Sequence, residues 1–140
     1  MTSTIVSPNL VAGMNNKFLV RAKDPRSIIY NDQSPLENHH CSMLFQILSF
    51  EEYNIFENIS ASDYAAIKKS IVKSILHTDM AVHNNNVEAF KELRVKLNQS
   101  GSNITQDDTN TLVATLLHAM DINNGTLEYS NYYRWGLRVV

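Results

Sequence analysis

Three polar pairs stand where helical spacing otherwise calls for apolar side chains: Glu37 with His40, Thr78 with Asp79, and His118 with Asp121. Carboxylates and imidazoles at such positions can ligate a divalent cation or carry a proton. Each pair also has an ordinary reading. Ser34-Pro35-Leu36-Glu37 has the Ser-x-x-Glu spacing of a capping box, which leaves His40 as a hydrogen-bonded core histidine. Asp79, between Leu76 and Val82, needs a buried ion pair or a helix face turned to solvent, with His77 and His83 at the surface. Asp121 with Ile122-Asn123-Asn124-Gly125 reads as a helix C-terminal turn. His39-His40-Cys41 is a poor metal site by itself, because neighbours on a helix point about 100° apart. The chemical reading is collective: acids and imidazoles on inward faces of three helices would converge on one polar pocket.

The elements that must position these groups are helical. Asp24-Pro25 pairs an N-cap with proline at the first helical position, restarting the chain after a short helix in Gly13 to Ala22. A second start at Ser34 opens a helix to about Leu48, with Leu36, His40, Met43, Leu44 and Ile47 on one stripe. Phe50 to Ile59 reads as a connector. Ser60 or Ser62 caps the strongest helix, whose Tyr64, Ile67, Ile71, Ile75, Thr78 and Val82 recur at steps of three and four. Asn84-Asn85-Asn86 is expected to break it. Helices follow over Val87 to Gln99, from Asp107-Asp108 through Met120, and from Tyr129 to Val140. The expected fold is all-α, a multi-helix bundle.

Composition narrows the function classes. Hydrophobic residues make up 44 % of the 140, enough to build a core. The net charge of −2 comes with no basic patch, so nucleic acid is not an expected partner. No apolar run is long enough for a membrane segment. With one cysteine, Cys41, no internal disulfide can form, and a cytoplasmic setting is the simplest expectation.

The same residues carry a family resemblance. Tyr30 to His40 resembles the YNDxSxLENHH segment of class I 3′,5′-cyclic-nucleotide phosphodiesterases. Ile75 to His83 is similar to their ILATDMxxH helix, and Leu117 to Asn124 to their HxADxxNP segment. Gly13 to Leu19 resembles the tail of HDxxHPGxxNxFL, and Trp135 and Arg138 fit the helix that follows. The resemblance runs over residues 12–140, with residues 1–11 as a divergent N-terminal segment.

The resemblance implies an all-α catalytic domain with two divalent metals, zinc and magnesium, that hydrolyses cyclic AMP or cyclic GMP to the 5′-monophosphate. Position by position it implies Asp121 as a direct metal ligand. It places Glu37, His40 and Thr78 near metal-bound water, and Asp79 orienting neighbouring polar groups. Met80 and Ile122 would line the base pocket, Asn124 would contact the base, and Asn16 would brace the site. The chain departs from the family where Ser7, Pro8 and Val11 stand for His, Asp and His. Only Asp121 then remains of the direct ligands, whereas a catalytic zinc takes about three. The expectation is a partial catalytic domain, inactive as this chain alone. The alternative is a non-catalytic helical interaction module that binds a partner subunit or forms a homodimer.

Overall fold

The computed structural model describes residues 14–99, 103–126 and 128–139, without the side chains of 124, 125, 135, 138 and 139. Ser7, Pro8, Val11 and Gly13 lie outside the described residues. So do the side chains of Asn124, Trp135 and Arg138.

Helices α1 (Asn16–Arg21), α2 (Pro25–Ile29) and α3 (Pro35–Ile47) form the N-terminal layer. Helices α4 (Ala61–Leu76), α5 (His83–Leu97) and α6 (Gln106–Asp121) form the second, and α7 (Tyr129–Val139) follows a short turn at Asn123–Thr126. No strand occurs among the described residues.

The starts follow local chemistry. Asn15 caps α1 through Phe18 N–H, Asp24 caps α2 through Arg26 N–H, and Ser60 caps α4 through Asp63 N–H. Thr105 and Asp108 make a reciprocal capping box on α6. Lys96 also reaches Asp108, tying the end of α5 to the start of α6.

Helix α3 departs from the cap that its sequence offers, and α5 starts at Val82 with no side-chain cap. Ser34 makes no capping bond, and its backbone is left-handed with φ 41°. The expected capping box at Ser34 and Glu37 is therefore absent. Both side chains are bonded elsewhere, as described below.

The second difference lies between α4 and α5. The α4 stripe extends toward Val82 in sequence, but the helix ends at Leu76 with His77 as its C-cap. Asp79 then opens a short 3-10 turn over Met80–Val82 by accepting Ala81 N–H. The asparagines do not break a helix. They lie in the first turns of α5, and buried Asn86 donates to the His77 carbonyl at 2.9 Å. Asparagine is a poor interior helix former, but here its amide satisfies a carbonyl that the end of α4 leaves open.

Packing brings α4 against α6, α6 against α5, and α3 against α4, with α1 and α2 folded onto α3. Lys73 of α4 binds Asp107 at 3.0 Å and Thr111 at 3.1 Å on α6. Leu19 and Ala114 are completely buried, with Pro35, Cys41 and Leu93 close behind. Leu19 is the completely buried apolar residue of α1.

Candidate functional site

The first turn of α1, the start of α3 and the turn after α4 meet at one open cleft of about 910 Å³. Asn16, Ser34, Glu37, Thr78, Asp79 and Met80 are among its lining residues. They come from three well-separated parts of the chain, so only the folded state assembles them.

Asn16 is the junction. Its Nδ2 donates to Glu37 Oε2 at 2.8 Å and to Asp79 Oδ2 at 3.3 Å. Its Oδ1 accepts Leu36 N–H at 3.0 Å, in the first turn of α3. Asn16 thus caps α3 from another helix and fills the place that Ser34 leaves. Ser34 Oγ instead donates to Asp79 Oδ2 at 2.7 Å. The other oxygen of Asp79 accepts Ala81 N–H at 2.9 Å.

Asp79 is buried without a cation among its hydrogen-bond partners, held by one amide, one hydroxyl and one backbone N–H. It does not form the ion pair that an apolar helix face would require, because it stands at a cap rather than inside α4. Thr78 Oγ1 donates to the Ile75 carbonyl at 2.7 Å, just past the end of α4.

The cleft collects Asn16, Glu37, Thr78, Asp79 and Met80 from the candidate residues. His40 is exposed on α3 and is not among the lining residues. Asp121 and Ile122 are exposed at the end of α6, and neither lines the cleft. Asn124 lies in the turn that follows.

His118 belongs to a separate pair. It is buried, and its Nε2 lies 2.8 Å from Nδ1 of His83 at the start of α5. His83 is therefore not a plain surface residue. Burial holds the His118 pKa below its usual value, the neighbouring His83 lowers it further, Asp121 opposes this, and His77 adds a further lowering. Burial, Arg26 and His40 likewise lower His39, with Asp24 opposing. Burial raises the Cys41 thiol.

Sequence reading missed the bond of Ser34 to Asp79, because the Ser-x-x-Glu spacing gave Ser34 a complete local explanation. It also missed Lys17, Val20 and Arg21, which line the cleft from exposed positions on α1. One turn of spacing from Asn16 to Val20 was the signal that could have placed them on the same face.

Among the described residues no group of three or more His, Cys, Asp or Glu is placed to hold a metal ion. The carboxylates that do meet, Glu37 and Asp79, are already engaged by Asn16. The described residues therefore do not by themselves make a two-metal ligand set.

The sequence pattern of the 3′,5′-cyclic nucleotide phosphodiesterase family matches residues 12–140. The chain belongs to that family. It is 35 % identical over 127 residues to the cGMP-specific 3′,5′-cyclic phosphodiesterase alpha of Plasmodium falciparum, covering 91 % of this chain and 13 % of that protein. It is 38 % identical over 112 residues to the high affinity cGMP-specific 3′,5′-cyclic phosphodiesterase 9A of Drosophila melanogaster, covering 80 % of this chain and 7 % of that protein. The phosphodiesterase domain of the RhoPDE fusion protein from Salpingoeca rosetta superposes with a TM-score of 0.83 at 30 % identity, covering 91 % of this chain and 40 % of that one. This phosphodiesterase segment thus keeps the all-α catalytic fold over less than half of a solved domain. Family membership implies a general dependence on divalent metal. No helix among the described residues is long and apolar enough to cross a membrane.

Proposed function

We propose that this chain forms one wall of a cyclic-nucleotide hydrolysis site within a larger catalytic unit, and that it does not turn over substrate as an isolated segment. The observation that carries this reading is the hydrogen-bonded convergence of Asn16, Glu37 and Asp79 on one cleft. In it, Glu37 and Thr78 present polar groups toward bound water, Asp79 fixes the turn that carries Met80, and Met80 offers an apolar face to the base. His40, Asp121, Ile122 and Asn124 take the roles the family gives them only when the rest of the catalytic unit is in place. Zinc and magnesium are the proposed metals, with Asp121 a ligand to one of them. Among the described residues no group of three or more His, Cys, Asp or Glu encloses either metal.

The substrate class is a 3′,5′-cyclic purine nucleotide. Both cyclic AMP and cyclic GMP fit the reading, and a cytoplasmic setting accords with it. The test is titration of cyclic AMP and cyclic GMP into the purified chain with zinc and magnesium present, followed by backbone and side-chain NMR and by product chromatography. The expected result is shifts clustered at Asn16, Glu37, Thr78 and Met80, without formation of 5′-monophosphate. Shifts confined to other surfaces would sink the reading. Turnover that disappears in Asp121→Ala would sink its second clause and make the chain an enzyme on its own.

A second reading, a helical module that binds a partner subunit or a second copy, is favoured by one observation. Val113, Leu116, Leu117 and Met120 are exposed on α6, at 44, 54, 38 and 68 %. Sedimentation across a concentration series tests it: a monomer throughout, with no binding of an apolar dye, removes this reading.

A further inference from the structure

We infer that Ser34 is a positioning residue of the cleft, acting through Asp79 to set the Met80–Val82 turn. The inference rests on reading the cleft as a nucleotide wall, but its first test does not. Serine is among the best N-cap residues, yet Ser34 caps nothing. Its φ of 41°, with 52° at Asn31 and 61° at Asp32, places most of this turn in the left-handed region. Asparagine and aspartate enter that region at low cost, and glycine at none, whereas serine is disfavoured there. A residue chosen for backbone shape alone would be glycine or asparagine.

What serine supplies is the hydroxyl. The left-handed bend swings it off the end of α3 and across to Asp79 Oδ2, 2.7 Å away. The bond joins residues 45 apart in sequence, so it fixes the α3 start against the turn after α4. Asp79 passes the constraint on, because its Oδ1 holds Ala81 N–H at 2.9 Å and so shapes the 3-10 turn that carries Met80. The capping duty that Ser34 gives up is met by Asn16 Oδ1 on Leu36 N–H. The two substitutions of role fit together. Asn16 stands in for the serine at the helix end, and the serine is released to hold the carboxylate. Strain of this kind persists where surrounding contacts over-determine the geometry, as the shared Oδ2 of Asp79 does here.

The test compares Ser34→Gly, Ser34→Ala and Ser34→Thr in the full 140-residue chain. Glycine keeps the left-handed backbone and removes the hydroxyl. The expected result for Ser34→Gly is amide exchange at Ala81 about tenfold faster, with a shifted Asn16 side-chain amide resonance and an unchanged or higher urea midpoint. Ser34→Ala should repeat the exchange defect with lower stability, since alanine bears the left-handed strain. Ser34→Thr should keep Ala81 protected despite its own strain, because the hydroxyl is retained. Unaltered Ala81 exchange and Asn16 resonance in Ser34→Gly would overturn the inference and leave Ser34 a purely conformational residue. Cyclic nucleotide is then titrated into wild type and Ser34→Gly. Cleft shifts in wild type that weaken several-fold in Ser34→Gly support the positioning role. Equal binding in both overturns it for ligand, and no binding in either sinks the nucleotide reading while the Ala81 comparison still decides the Ser34–Asp79 link.

Discussion

Replacing Asn16 with alanine is the sharpest probe of the cleft, because one small side chain joins three segments. The Leu36 N–H bond is a helix cap worth about 1 kcal/mol. The 2.8 Å bond to Glu37 has an ionised acceptor and contributes about 1.5 kcal/mol. The bond to Asp79 is longer, at 3.3 Å, and Asp79 keeps Ser34 and Ala81 as donors, so little is added there. The site is half-buried and open, so water replaces part of the loss. Asn16→Ala should therefore cost about 2 kcal/mol, or roughly 6 °C in melting temperature for a chain of this size. Asn16→Asp keeps the shape and the acceptor but sets a third carboxylate beside Glu37 and Asp79. It should cost more than alanine near neutral pH, because like charges held side by side repel. Urea unfolding at matched ionic strength reads both, with the midpoint moving and the slope held. A loss below about 0.5 kcal/mol for Asn16→Ala, or an Asn16→Asp variant as stable as wild type, would refute the claim that this amide is the junction.

Three further outcomes follow from other parts of the fold. Leu19→Ala removes a completely buried side chain, and should cost about 3 kcal/mol by urea unfolding. The Arg26 guanidinium, bonded to Asp24 at 2.8 and 2.9 Å, helps bring the Asp24 carboxyl from 3.8 down to about 2. A carboxylate depressed in the folded state stabilises fully above its unfolded value, and that stabilisation, at most about 2 kcal/mol, is lost as the pH falls from 3.8 toward about 2. Asp24→Asn keeps the α2 cap and should flatten this acid limb in urea midpoints measured down the pH scale. Burial lowers the pKa of His118 from 6.5 in the folded state, so its unfolded form takes up protons first and stability should decline as the pH drops below 6.5. His118→Gln should reduce that decline. An unchanged slope would show that the ring is not what protonates.

The helices were legible wherever a local cap and an apolar period agreed. Asp24-Pro25 at α2 and Ser60 at α4 behaved as their residue types dictate. The end of α4 was not legible, because Val82 continues the apolar period of Ile71 and Ile75 after the helix has stopped. Period alone cannot see that Asp79 captures the Ala81 amide and begins a new turn. The α5 boundary failed for a related reason. Asn84 to Asn86 have poor helix propensity, and the carbonyl of His77 that rewards Asn86 becomes visible only in three dimensions.

The candidate site was half legible for a physical reason. Glu37, Thr78 and Asp79 are polar groups on faces that packing would otherwise make apolar, and that conflict marks them in sequence. Asn16 is marked only through the family resemblance, and Ser34 carries no such mark. Each has a satisfactory local explanation, one as a residue of a short polar helix start, the other as a cap. Their duties are exchanged across space, with an amide from α1 closing α3 and a serine from the α3 start holding the carboxylate after α4. An exchanged cap has the same composition as an ordinary one, so sequence pattern cannot separate them. The separation lies in φ at Ser34: a serine capping its own helix has extended backbone, whereas this one is left-handed at 41°. The bent serine is therefore where the local rule yields to the long-range one, and the start of α3 is tied across the cleft to Asp79 by that displacement.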